Sequence, residues 1–159
     1  MTNNSRPDIT EIKILESKYD LDSISFDEIQ WIFHDFMKDV FLPKISLESK
    51  ISEKTKAILE KNNESVRLFL EGKIKETEIN KIGIASLHDA ENLEGIEKVV
   101  LLFSNKGLTD KKRAFFEEYG ASMHIQSLFF SLYKMDYDDI CNIFRKYIEK
   151  HSIMKSYSI

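Results

Sequence analysis

Two prolines and five glycines are spread over 159 residues, so long stretches of the chain carry nothing that interrupts a regular backbone. A many-stranded sandwich needs a turn signal roughly every 8–12 residues, and this chain is too poor in turn residues to supply them. A composition of 42% hydrophobic and 31% charged residues is too apolar for a disordered chain. The length suits one domain able to bury a core without disulfides or metals as staples. The expectation is an all-α fold: a single compact multi-helix bundle of about six to eight helices over residues 1–159, with a flexible N-terminus at 1–8 and a frayed C-terminus at 153–159.

Helix ends are readable in several places. In "ISFDEIQWIFHDFMKDVFLP", Ser25 and Glu28 have capping-box spacing, Ile24 and Ile29 suit a hydrophobic staple, and Pro43 falls just beyond the expected end. Ile29, Ile32, Phe33, Phe36 and Val40 make one apolar stripe. Helices are expected at Glu53–Lys61 and Glu64–Glu71, the second stopped by Gly72, whereas "KIKETEINKIGIASL" reads as a short helix or an irregular connection. "DAENLEGIEKVVLLFSNKG" spaces Leu93, Ile96, Val100 and Phe103 as a helix ending at Gly107, with a short strand near 98–103 as the alternative. Thr109 suits a cap for "DKKRAFFEEYG", which Gly120 ends, and Asp136 suits the cap of the last helix. The glycines read as helix stops, except Gly95, which falls inside a helix.

Several chemistries lose their sequence support. The single cysteine, Cys141, excludes an internal disulfide and points to a reducing compartment, hence to cytoplasm. On an apolar stripe it reads as a small core residue. The longest apolar run, "VVLLF", is far short of the roughly 20 residues that span a bilayer. A formal charge of -4 repels phosphate backbones, so no direct nucleic-acid contact is expected. There is no Gly-rich phosphate loop, nucleophile elbow or paired CxxC, and no cofactor is implied. His34-Asp35 and His88-Asp89 resemble the metal-binding dipeptide of HD phosphohydrolases, but the further ligands that family uses are missing, so no metal is expected. His34 is expected to be solvated, His124 partly buried, and Asp89 near the start of a helix.

Near the C-terminus, "FRKYIEKH" places Arg145 and His151 at a spacing that resembles the R-x4-6-H signature of the HEPN ribonuclease family. The resemblance implies a helical bundle that cleaves RNA without metal, with Arg145 stabilising phosphate charge and His151 assisting proton transfer across a dimer interface. Lys146 stands where that family often has Asn, Asp or His. On an ideal helix Tyr137, Ile140, Cys141, Phe144, Tyr147, Ile148 and His151 share one stripe, while Arg145 lies on the opposite face.

Binding is the expected function. Trp31, the one tryptophan, lies beside the core stripe with Asp35 on its polar side, and large aromatics anchor binding hot spots. Glu91, Glu94 and Glu97 are spaced by three, as one acidic helical face that would steer a basic partner. In general character, small, acidic and motif-poor, the chain resembles immunity proteins that neutralise nuclease toxins. The expectation is a non-catalytic inhibitor that occludes a basic toxin or nuclease domain through Trp31, Asp35, Glu91, Glu94 and Glu97. The HEPN-like ribonuclease using Arg145 and His151 is the alternative, and a helical adaptor or viral antagonist of host signalling fits the same composition.

Overall fold

A computed structural model describes residues 6–105 and 110–154. The chain is all-α, with helices α1 (Pro7–Lys18), α2 (Phe26–Phe36), α3 (Leu42–Ser46), α4 (Glu53–Leu70), α5 (Glu76–Glu91), α6 (Gly95–Ser104), α7 (Asp110–Lys134) and α8 (Asp138–His151). The 98–103 stretch is helical, within α6. Internal contacts divide the chain into two compact units: Met1–Ile29 with Phe115–Ile159, and Gln30–Ala114.

In the first unit α1 packs on α8, and two-residue strands β1 (Tyr19–Asp20) and β2 (Ile153–Met154) pair antiparallel with Tyr19 opposite Met154. Helix α1 starts inside the stretch expected to be flexible. Pro7 at its first turn needs no backbone donor, and Asp8 follows at the positive end of the helix dipole. Arg6 holds the buried Asp8 carboxylate through two hydrogen bonds of 3.1 and 2.8 Å. Ile12 and Leu15 are buried on the same helix. The pairing of Ile153 and Met154 likewise carries regular structure into the segment expected to fray.

The capping box opening α2 forms as expected: Glu28 N–H donates to Ser25 Oγ, and Ser25 N–H to Glu28 Oε1, each at 3.1 Å. Gly120 breaks α7 with φ 89°. Asp136 does not cap α8. It takes φ 60° and closes α7 instead, with Tyr137 N–H donating to the Leu132 carbonyl and its own N–H to that of Tyr133, both at 3.0 Å. That pair of bonds is the left-handed Schellman ending in which glycine is usual, and α8 begins two residues later with Tyr137 at its N-cap. The Gly107 stop and the Thr109 cap lie outside the described residues.

In the second unit α4 packs on α3, α5 and α6, and α5 packs on α6. The core includes tilted and edge-on contacts of Phe103 with Phe33 (5.3 Å between centroids) and Phe41 (5.0 Å). Helix α4 is one helix where two were expected, because Asn62 and Asn63 turn inward and are buried within it rather than opening a turn. Ser52 caps it, accepting from Thr55 N–H at 3.2 Å. Gly72 ends it at φ 76°, with Lys73 N–H on the Leu68 carbonyl and Gly72 N–H on that of Phe69.

The weak "KIKETEINKIGIASL" stretch lies largely in α5, and Gly83 does not stop that helix. It is buried mid-helix, where its carbonyl accepts from Asn105 Nδ2 at 2.9 Å. Gly95 instead begins α6 at φ 59°, which splits the long helix expected there. His88 and Asp89 consequently sit at the end of α5, not at a helix start.

Pro43 does not end the helix before it. Between α2 and α3 the backbone widens into a π-helical segment, Met37–Phe41, and runs on through Pro43 to Ser46. In an α-helix a proline ring collides with the carbonyl four residues back. Widening the preceding turn relieves that collision and lets the chain stay helical.

Two helix endings with the same bonds and different residues predict opposite effects. Gly72→Ala should destabilise by about 1 kcal/mol, because no atom crowds a Cβ there and only the left-handed backbone opposes it. Asp136→Gly should stabilise, by roughly 0.5–1 kcal/mol. Urea denaturation midpoints of the two variants against the parent chain measure both.

Candidate functional site

The π-helical widening has a consequence for the surface. Trp31, His34, Asp35 and Lys38 follow helical spacing along α2 into the widened segment, and Glu60, Asn63, Glu64 and Arg67 do the same along α4. His34 and Lys38 on the first stripe, Glu60, Asn63, Glu64 and Arg67 on the second, and Leu42, Pro43 and Ser46 line a groove of about 390 Å³. This is within the size range of ligand sites, roughly 300–1,000 Å³, and π segments recur at functional positions.

His34 sits at the groove wall and is 4% exposed, which corrects the solvated position expected for it. Asn63 Nδ2 donates to its backbone carbonyl at 3.2 Å, and the Trp31 indole meets its ring edge-on, 5.8 Å between centroids. Its Nδ1 lies 3.1 Å from Asp35 Oδ1. A carboxylate can only accept, so Nδ1 carries the hydrogen. Across the groove the Arg67 guanidinium is held by Glu64 and, at 2.7 Å, by Glu71. Hydrogen bonding to both carboxylates raises its already high pKa; a hydrogen bond from this guanidinium holds the Glu64 carboxyl below its ordinary range, and hydrogen bonds from Lys73 first and Arg67 second do the same for Glu71.

Of the sequence-expected binding residues, Trp31 and Asp35 each contact His34 of the groove lining, with Trp31 part-buried and the Asp35 side chain 47% exposed. The structure places the other three elsewhere. Glu91 ends α5 and Glu94 precedes α6, both exposed. Glu97 serves α4, accepting from Ser52 N–H at 3.0 Å and Thr55 Oγ1 at 2.8 Å. Bonds to the Ser52 backbone first, then to the Thr55 and Ser52 side chains, hold its carboxyl below the usual range. Glu97 is therefore a structural cap and is not free to meet a partner. Glu60, Asn63 and Arg67 were missed by sequence reasoning. Their signal is a polar stripe of the same helical spacing as the stripe on α2, the pattern that also marks a solvated helix face.

Arg145 and His151 do not come together. Arg145 Nε lies 2.5 Å from Glu11 Oε2, and its Nη1 donates to Glu149 Oε1 at 2.9 Å. Tyr19 closes the network by donating its hydroxyl to Glu149 Oε2 at 2.9 Å, a bond that raises the phenol pKa. Arg145 and Glu11 are 20% and 7% exposed, a largely buried pair joining α8 to α1. His151 is exposed at the end of α8. Cys141 is a buried core residue, and burial, followed by the charge of Glu11, pushes its thiol up to about 12, so it is not a thiolate at neutral pH. Among the described residues no group of three or more His, Cys, Asp or Glu side chains is arranged to hold a metal, and no helix is long and apolar enough to cross a membrane.

Removing one partner of a largely buried ion pair strands the other. Arg145→Ala should therefore destabilise the chain by about 2–3 kcal/mol, whereas His151→Ala should stay within about 0.5 kcal/mol of the parent. Equal effects in thermal denaturation would contradict this assignment of Arg145.

Glu97 gives a pH test. Its pKa is lower folded than unfolded, so its contribution is complete above about pH 4.5 and is lost as pH falls through the folded value. Glu97→Gln should lower stability at pH 7 and leave a shallower loss on acidification. Denaturation midpoints at pH 7 and pH 3.5 should differ less in the variant than in the parent.

No protein-family model, curated protein or solved structure matches this chain.

Proposed function

We propose that the chain is a non-catalytic protein-binding module, an immunity-type inhibitor acting in the cytoplasm that covers the active site of a basic partner such as a nuclease toxin. The observation that carries this reading is the Trp31 indole, part-buried and braced edge-on against the buried His34 beside a charged groove. A large aromatic held in one orientation contributes contact area with little conformational entropy left to lose, which is how interface anchors work.

Charge supports a basic partner. In the groove lining Glu60 and Glu64 stand against Lys38 and Arg67, and Asp35 beside His34 adds a further negative charge. The chain carries a formal charge of -4, which speeds capture of a cationic protein at low salt. Arg145, engaged with two carboxylates, is not presented as a free phosphate-binding cation, so the ribonuclease alternative gains no support from the geometry.

The test is capture of partners from source-cell lysate with the full chain, followed by titration of the recovered protein against variants. Trp31→Ala should weaken binding by about 2 kcal/mol, roughly 30-fold, and raising salt should slow association. His151→Ala should bind as the parent does. Binding that is indifferent to Trp31 would refute this interface, and RNA cleavage by the purified chain in EDTA would refute the non-catalytic reading.

A further inference from the structure

Resting on the protein-binding reading above, we infer that the groove takes an arginine side chain of the partner. The inference follows from which hydrogen-bonding groups in the groove are already satisfied. Arg67, the strongest donor present, is occupied by Glu64 and Glu71. His34 donates from Nδ1 to Asp35, so in the neutral imidazole Nε2 is left as an acceptor. Asn63 spends a donor on the His34 carbonyl and keeps Oδ1 as an acceptor. Glu60 lines the same groove and is one of its walls' exposed residues. Among the described residues its carboxylate makes no ion pair or hydrogen bond.

Three lining residues therefore keep an unused acceptor, an imidazole nitrogen, an amide oxygen and a carboxylate, and among the described residues Lys38 is the lining cation without a carboxylate. A ligand that complements these acceptors is a donor with several N–H groups. A guanidinium has five, fixed as a fork, whereas an ammonium is a compact point charge with three. Leu42 and Pro43 in the lining offer apolar surface for the methylene stem. An anion would meet Glu60 and Glu64 and would find only Lys38 unoccupied.

The experiment uses the full chain and N-acetyl-arginine methylamide, with its neutral isostere N-acetyl-citrulline methylamide and inorganic phosphate as controls. The His34 imidazole and Trp31 indole resonances are followed by NMR during each titration. The arginine probe should shift both in a saturable way, the citrulline probe should bind at least tenfold more weakly, and Glu60→Gln should weaken the arginine probe by about tenfold while Lys38→Ala does not. Equal responses to arginine and citrulline, no saturable response to arginine, or a phosphate response lost in Lys38→Ala would each overturn the assignment. These outcomes are separate from the fate of the interface itself. A partner whose binding depends on Trp31 but not on Glu60 leaves the protein-binding reading standing and removes the arginine.

Discussion

Two adjacent asparagines fix the second unit. Asn62 is 2% exposed, and its Nδ2 donates to Ser86 of α5 and Ser104 of α6, both at 3.0 Å. Asn63 is next along the chain, about 100° round the helix, and reaches the His34 carbonyl of α2. One turn of α4 thus specifies the position of three other helices. Apolar packing alone tolerates small slides of one helix along another, but a buried amide that loses its partner is penalised by roughly 1–3 kcal/mol. The asparagines therefore fix the register between these helices, and Phe33, Phe41 and Phe103 fill the space that this register leaves.

The groove is a by-product of that register combined with one proline. Asn63 holds α4 against α2 at His34, and the chain must then pass Pro43 without unwinding. The π-helical segment Met37–Phe41 lets it do so, and Leu42, Pro43 and Ser46 beyond it join the groove lining. The same local geometry buries His34 while leaving Asp35 half exposed beside it.

What the sequence made legible is what depends on neighbours a few residues apart. The capping box at Ser25 and Glu28 is local chemistry, and so are the stops at Gly72 and Gly120. Failures came where a distant side chain changed the meaning of a local signal. Asn62 and Asn63 look like turn residues until Ser86, Ser104 and the His34 carbonyl are brought to them. Gly83 looks like a stop until Asn105 is found donating to its carbonyl. Asp136 looks like a cap because aspartate is good at helix starts, yet aspartate also tolerates the left-handed backbone, and here the end of α7 claims it. The candidate site was half legible. Trp31 and Asp35 are marked by their own α2 pattern, but the α4 wall resembles any solvated polar face until α2 packs beside it.

Charge is where sequence reasoning misleads most. Glu91, Glu94 and Glu97 look equivalent on paper, but the helix break at Gly95 separates the first two from the third, and Glu97 alone is spent on the N-terminus of α4. Arg145 and Glu149 look like an ordinary exposed i,i+4 pair, worth a few tenths of a kcal/mol, until Glu11 arrives from α1 and makes the cluster a largely buried tie between two helices. A charged residue is available for recognition only after the fold has taken the ones it needs for caps, helix ties and buried amides. In this chain that subtraction removes Glu97 and Arg145, while Glu60 and Lys38 keep exposed charges in the lining of one groove.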